Sequence, residues 1–389
     1  MTPSDGIDTT TADETRISTD DPALESERFR AFDRPDGRIG VRNRLLVLPS
    51  VICSHIVADR IADEIPAAVS APHDHGCAQL GADNDQTERT FLGVGRNPNV
   101  SGVLVVGLGC EVVQSEGVAQ RFAESGVPVR ELSIQAEGGS DRTIERGIDV
   151  AGTLASEQSE AETAATLGDL TVGVVSSDVQ RSTLETADPL VGEFVQRVVD
   201  AGGRAVVAGT ERFVPHGDRA CEAVADEATR REFEQLLETK RRIPARTAGL
   251  QHRAAGRSFD EVSRSWNGLP VRDVLSYGEP ATHESDVAIV DAPSRFAEAA
   301  TGLAAAGAHV IVHGTADGIP SGHPVVPIVK VTGDESTADA LAADIDVDAT
   351  TTGVDDFTET VLEILEGDPS CAERHGLTEF AITRIGPSM

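Results

Sequence analysis

Two short stretches of the chain concentrate side chains that bind metal ions or move protons. The first, Pro72-His73-Asp74-His75-Gly76-Cys77, offers two imidazoles and a thiol within its last five residues. The second, Gly107-Leu108-Gly109-Cys110-Glu111, sets a thiol beside a carboxylate and frames them with glycines that let backbone approach a ligand. Imidazole, thiolate and carboxylate suit iron(II), zinc or manganese. The spacing is not that of a zinc finger and the sequence has no four-ligand structural pattern, so an open catalytic centre fits better than a structural one. His73, Cys77 and Cys110 are the expected metal ligands, with Glu111 at or beside the ion. His73, or else His75, is the expected base, because an unperturbed imidazole titrates near neutrality, at about 6.5. Cys53, Cys221 and Cys371 read as small buried hydrophobes.

Both stretches follow short apolar runs. Runs rich in Val and Ile occupy 45–51, 103–106, 132–134, 172–175, 205–208, 287–290, 310–312 and 325–329, and they are continuous rather than alternating. That is the pattern of parallel strands buried on both faces. Amphipathic stretches at 55–65, 117–124, 192–201, 232–242, 295–306 and 357–365 read as helices. Alternating strands and helices predict an α/β protein with two open, mostly parallel, Rossmann-like sheets and helices on both faces. In such sheets ligands sit beyond the carboxyl ends of the strands, where both chemical stretches fall. Residues 1–28 read as a disordered acidic leader, 29–160 as an N-terminal α/β domain carrying both loops, and 161–389 as a C-terminal α/β domain. Residues 155–168 mark the candidate boundary, and 241–268 read as an irregular excursion.

Composition removes several classes of function. The chain carries 65 acidic against 33 basic residues, a net charge of -32, which repels nucleic acid and anionic membranes. Aromatics make up 3% of it, so no stacking platform for single-stranded nucleic acid is available. The basic residues are nearly all Arg, with Lys only at 240 and 330. Acidity with Lys depletion predicts a halophilic protein, whose self-repulsion molar salt screens over about 3 Å. Five dispersed cysteines are not a disulfide framework and point to the reducing cytoplasm. No apolar run approaches the ~20 residues of a membrane span. The third glycine of a dinucleotide fingerprint is missing after Gly107-Leu108-Gly109, and no phosphate-binding GxxxxGK[ST] loop occurs, so no nucleotide cofactor is expected.

The motifs resemble those of the altronate/galactarate dehydratase family, particularly its two-subunit branch. The similarity runs through RPDGRIGVRNR (34–44), PHDHGCAQLGAD (72–83), IQAEGGSDRTIERG (134–147), PVVPIVKVTG (324–333) and DIDVDAT (344–350), with GRNPNVSGVLVVGLGCE (95–111) the most specific. The resemblance implies a divalent metal, typically Fe2+ with Mn2+ as the alternative, and dehydration of a sugar acid to a 2-keto-3-deoxy acid. It also implies an oligomer and a separate small subunit, which carries the N-terminal domain that many members place ahead of this region. An anionic substrate needs a local cationic pocket, for which Arg42, Arg44, Arg96 and Lys330 are the candidates, with Gln135, Gly138 and Gly139 as amide donors to its carboxylate. Two departures stand out. The family's C-G-G-S-D segment is reduced to Val175-Ser176-Ser177-Asp178, and its N-P-x-P-G-N segment is not recognisable in 241–268. The alternatives are therefore a related lyase or hydrolase acting on sulfolactate or a diketo acid, or a diverged subunit without activity.

Overall fold

The computed structural model describes residues 27–77, 79–242 and 248–386, so the expected leader lies outside them except for its last two residues. The first half runs through β1 (Arg28–Asp33), β2 (Ile39–Gly40), β3 (Arg44–Pro49), β4 (Ala68–Ser70), β5 (Val100–Gly107), β6 (Val129–Ser133) and β7 (Glu162–Thr166). The second half adds β8 (Thr171–Ser176), β9 (Arg204–Val207), β10 (Val271–Leu275), β11 (Asp286–Val290), β12 (Val310–Gly314), β13 (Ile328–Thr332) and β14 (Val347–Asp348). Two sheets are wholly parallel, one of four strands ordered β4-β3-β5-β6 and one of seven ordered β10-β11-β9-β8-β12-β13-β14. The continuous apolar runs thus became parallel strands: every residue of β5, β8, β12 and β13 is buried. The last expected strand is displaced. Residues 325–327 are buried but irregular, and β13 begins at Ile328.

Residues 155–168 are no free linker. The helix Ser140–Ser156 ends there, and β7 then pairs antiparallel with β1 in a three-stranded sheet ordered β2-β1-β7. Since β7 follows residue 160 and β1 precedes it, the two halves are stitched across the expected boundary. The NPN of the most specific motif does the same. Asn97 Nδ2 donates to Ala304 O (2.8 Å) and Ala308 O (2.9 Å), and Asn99 Nδ2 to His309 O (2.9 Å). His309 answers by donating from Nε2 to Ile39 O at 3.0 Å. One apolar cluster spans both sheets, joining Leu46, Phe91 and Val105 to Val175, Val290 and Ile328. The halves are therefore held at a fixed angle, which defines the space between their strand ends. The excursion 241–268 folds into short helical turns over Ala248–Ala254, Phe259–Val262 and Arg264–Trp266, with 243–247 outside the described residues.

Candidate functional site

The two chemical loops meet over the carboxyl edge of the four-stranded sheet. Ile52 N donates to His75 O (2.9 Å) and Val112 N to Gly76 O (3.3 Å). Gly76 has φ +88° and lies so close to the end of β3 that a Cβ there would stand 2.2 Å from Ser50 O, so only glycine fits. The convergence expected from the sequence is present, but the side chains are used otherwise than expected. His73 is buried; its Nε2 donates to Pro49 O (2.6 Å) and its Nδ1 accepts from His75 N (3.1 Å). Both ring nitrogens are engaged, and burial, with the nearby His75 and His55, pulls its pKa down to about 3. His75 is also enclosed, with Nε2 donating to Ile382 O (3.0 Å) and Nδ1 accepting from Gln79 Nε2 (2.8 Å). Burial, and then Arg384, lowers its pKa.

Glu111 braces the loop. Its carboxylate accepts from Ser50 Oγ (2.9 Å), Leu108 N (3.2 Å) and Gly109 N (2.6 Å). Burial opposes its ionisation, but the backbone N–H groups and Ser50 outweigh burial and hold the carboxyl below the usual range. A divalent ion therefore finds neither His73 nor Glu111 free, and among the described residues no three His, Cys, Asp or Glu side chains stand together as a metal site. What the loops leave available is sulfur: Cys77 and Cys110 are exposed, and so is Cys53, contrary to its expected burial. Cys221 and Cys371 are buried as expected.

Beside this edge lies a cavity of about 820 Å³. One wall is the first half, with His55, Pro72, His73 and Asp74; another is the carboxyl edge of the seven-stranded sheet, with Thr210, Glu211, Asp291 and Arg295; Lys240 and Gln251 close a third side. Lys240 sits in the last turn of the helix Glu227–Arg242, its Nζ 2.5 Å from Asp291 Oδ1, and both side chains are about one-third exposed. Residues 380–386 cross the cavity as an irregular strap. They are tied to the second half by Tyr277 OH donating to Ala381 O (3.1 Å), and to the first by Ile385 N and Gly386 N donating to Asp83 Oδ1 (2.6 and 2.9 Å). His55, half-buried, donates from Nδ1 to Ile52 O, which leaves the lone pair on Nε2 as an acceptor.

The expected substrate cations lie elsewhere. Arg42 and Arg44 stand at the opposite, amino end of β3, where both pair with Glu373 (2.7 and 2.9 Å) and Arg42 also donates to Val41 O and Ile364 O. They serve packing between the halves. Arg96 ends the helix Ala82–Gly95 and donates to Ser125 Oγ at 3.0 Å. Gln135 is exposed beside Gly109. Gly138 and Gly139, at φ +85° and +123°, make the left-handed break between two helices. Lys330 is wholly buried in β13, with no hydrogen-bond partner for its Nζ. None of these residues lines the cavity. Those that do and were missed, His55, Lys240, Asp291 and Arg295, were partly within reach. His55 follows the end of β3 and Asp291 that of β11, the rule already applied to the two loops.

Parallel sheets whose carboxyl edges face one polar cavity place the candidate small-molecule site of this protein there. Residues 31–159 match the second domain of D-galactarate dehydratase/altronate hydrolase, and residues 262–388 match the C-terminal region of D-galactarate/altronate dehydratase. The chain belongs to this galactarate/altronate dehydratase family. It is 26% identical to an altronate dehydratase of Escherichia coli K12, over 95% of this chain and 80% of that protein. It is likewise 26% identical to the beta subunit of a (2R)-sulfolactate sulfo-lyase of Chromohalobacter salexigens, over 93% of this chain and 98% of that one. An altronate dehydratase of Bacillus subtilis is similar at 26% identity, over 94% and 79%. The stretch between the two matched regions supplies Thr210, Glu211, Lys240 and Gln251 to the cavity wall. Among the described residues no helix is long and apolar enough to cross a membrane.

Proposed function

We propose that the chain is the large subunit of a cytoplasmic lyase that removes water from a sugar acid such as altronate or galactarate, giving a 2-keto-3-deoxy acid. The observation that carries this is the shared cavity, where a histidine with a free lone pair, a lysine–aspartate pair and an exposed arginine face one space large enough for a six-carbon acid. Lys240, paired with Asp291, and Arg295, paired with Glu298, are the cavity cations that meet the carboxylate of an organic anion. His55 Nε2 takes the hydrogen next to the carboxylate. Lys240, held by Asp291, gives a proton to the departing hydroxyl, so that water leaves and the enol becomes the keto acid. The strap 380–386 and the neutral, buried His73 and His75 keep bulk water from the reacting carbons.

A divalent cation, Fe2+ or Mn2+, would supply Lewis-acid chemistry to such a reaction. Of the sequence-based set, Cys77 and Cys110 are the side chains that remain exposed, and neither lines the cavity. A separate small subunit supplies the part of the altronate dehydratases, about a fifth, that this chain does not match. Alignment with nearly all of a sulfo-lyase beta subunit favours a second reading, loss of sulfite from sulfolactate in the same cavity. The test is an anaerobic assay of the two-subunit complex with Fe2+ on altronate, galactarate and (2R)-sulfolactate, following 2-oxo acid and sulfite. The expected result is a 2-oxo acid from a sugar acid, cut about 100-fold or more by His55→Gln or Lys240→Met. A wild-type complex that yields neither product from any of the three acids overturns the proposal.

A further inference from the structure

We infer that the substrate is a polyhydroxy acid with one carboxylate rather than two, and that Gln251 meets its uncharged hydroxyl tail. This rests on the reading of the cavity as the substrate site and names which class of sugar acid enters it. The lining holds four carboxylates, on Asp74, Glu211, Asp291 and Glu298, against the three cations of Lys240, Arg295 and Arg384. Lys240 is paired with Asp291 (2.5 Å) and Arg295 with Glu298 (3.0 Å). Arg384, on the strap, acts on His75 against the opposing charges of Asp74 and Asp83. One carboxylate of a ligand is met by Lys240 and Arg295. A second carboxylate on the same molecule finds no cation without an acidic neighbour, in a chain of net charge -32. Screening is weaker in a partly enclosed space than in bulk water, so that second charge is repelled.

A hydroxyl tail needs partners that both donate and accept, and a side-chain amide does both. Gln251 offers one. It is half-buried on the cavity wall, and among the described residues its side chain has no hydrogen-bond partner. The helix that carries it, Ala248–Ala254, is anchored from behind. Leu250 and Ala254 are buried in the core, and His216 Nε2 donates to Ala254 O at 3.1 Å. Thr239, on the helix Glu227–Arg242, adds a second neutral group: its hydroxyl donates to Gln235 O (2.8 Å) and keeps its oxygen as an acceptor towards the cavity. This wall therefore selects by hydrogen bonding and not by charge. Both residues lie in the stretch that neither family region matches, so the choice among acids is made outside the parts of the chain shared with the family.

Calorimetric titration of the two-subunit complex with Fe2+, carrying His55→Gln to slow turnover, compares altronate, which has one carboxylate, with galactarate, which has two. The complex should bind altronate about tenfold or more tightly than galactarate. Adding Gln251→Leu removes the amide and should weaken altronate about tenfold, with the thermal midpoint unchanged because that amide bonds nothing else among the described residues. Adding Gln251→Arg instead places a cation at the tail and should bring galactarate level with altronate or above it. Galactarate bound as tightly as altronate or more so before the Gln251 changes, or Gln251→Leu binding altronate undiminished, overturns the inference. Binding in the expected pattern by a complex whose wild type forms no 2-oxo acid overturns the lyase reading and leaves this one standing. A complex that binds neither acid overturns both.

Discussion

The carboxyl edges of the two parallel sheets are built from similar residue types and used in opposite ways. At the four-stranded sheet the loops brace one another through backbone and Glu111, and their three thiols stay in solvent. At the seven-stranded sheet the polar groups around the ends of β8 and β12 are sealed, while Glu211 and Asp291, after β9 and β11, line the cavity. His313 lies between Ser177 Oγ on Nε2 (2.6 Å) and Ser321 Oγ on Nδ1 (2.9 Å), and burial, then Lys330, pulls its pKa to about 3. Arg212 and Asp188 form an ion pair at 2.5 Å with almost no exposure, and Ser176 donates to the same carboxylate at 2.7 Å. Burial pushes the Asp188 carboxyl upward while Arg212 and Ser176 hold it down. A polar cluster at a strand end is thus no signature of chemistry by itself. What distinguishes the four-stranded edge is that its thiols are left in solvent and that His55, beside them in the chain, lines the cavity.

Removing one member of the sealed edge should cost the most. Asp188→Ala strands the buried Arg212 guanidinium and is expected to destabilise the fold by about 3–5 kcal/mol, read from the denaturant midpoint. A shift below about 1 kcal/mol would show that the second edge is not the structural one. A smaller effect follows from pH. His73, His313 and His323, each lowered to about 3, and His309, lowered to about 4, are all held neutral chiefly by burial. Their folded pKa values lie below the unfolded value of about 6.5, so the unfolded chain binds more protons between the two. The stability they give is complete above about 6.5 and is lost as pH falls toward 4, by up to about 1.4 kcal/mol per histidine for each pH unit. Thermal midpoints measured from pH 7 to pH 4.5 should fall steadily; a flat profile would mean that these rings are protonated in the fold.

The fold was legible because parallel strands buried on both faces leave unbroken Val and Ile runs, and all eight expected runs lie on or beside a strand. The boundary was less so, since β7 pairs with β1 through contacts more than 100 residues apart that no local pattern records. At the site, the sequence located the two loops but not the fate of their groups. His73 looked like a ligand because its neighbours are chemical; nothing in the spacing says that Pro49 O and the His75 N–H take both its nitrogens. Cys53 looked inert because a lone cysteine usually is, and only the strand order β4-β3-β5 reveals that it follows a strand adjacent to those that precede Cys77 and Cys110. Lys330 drew attention by its rarity and proved buried, whereas Lys240, equally rare, faces the cavity from a helix end in the stretch matched by neither family region.

Hydrogen exchange measured by mass spectrometry on the two-subunit complex compares the two edges directly. With Fe2+ present, adding altronate, galactarate or (2R)-sulfolactate should slow exchange in residues 72–77 and in the strap 380–386, and leave 176–180 and 313–323 unchanged. Protection confined to 176–180 and 313–323 would contradict placing the substrate in the cavity between the two sheets.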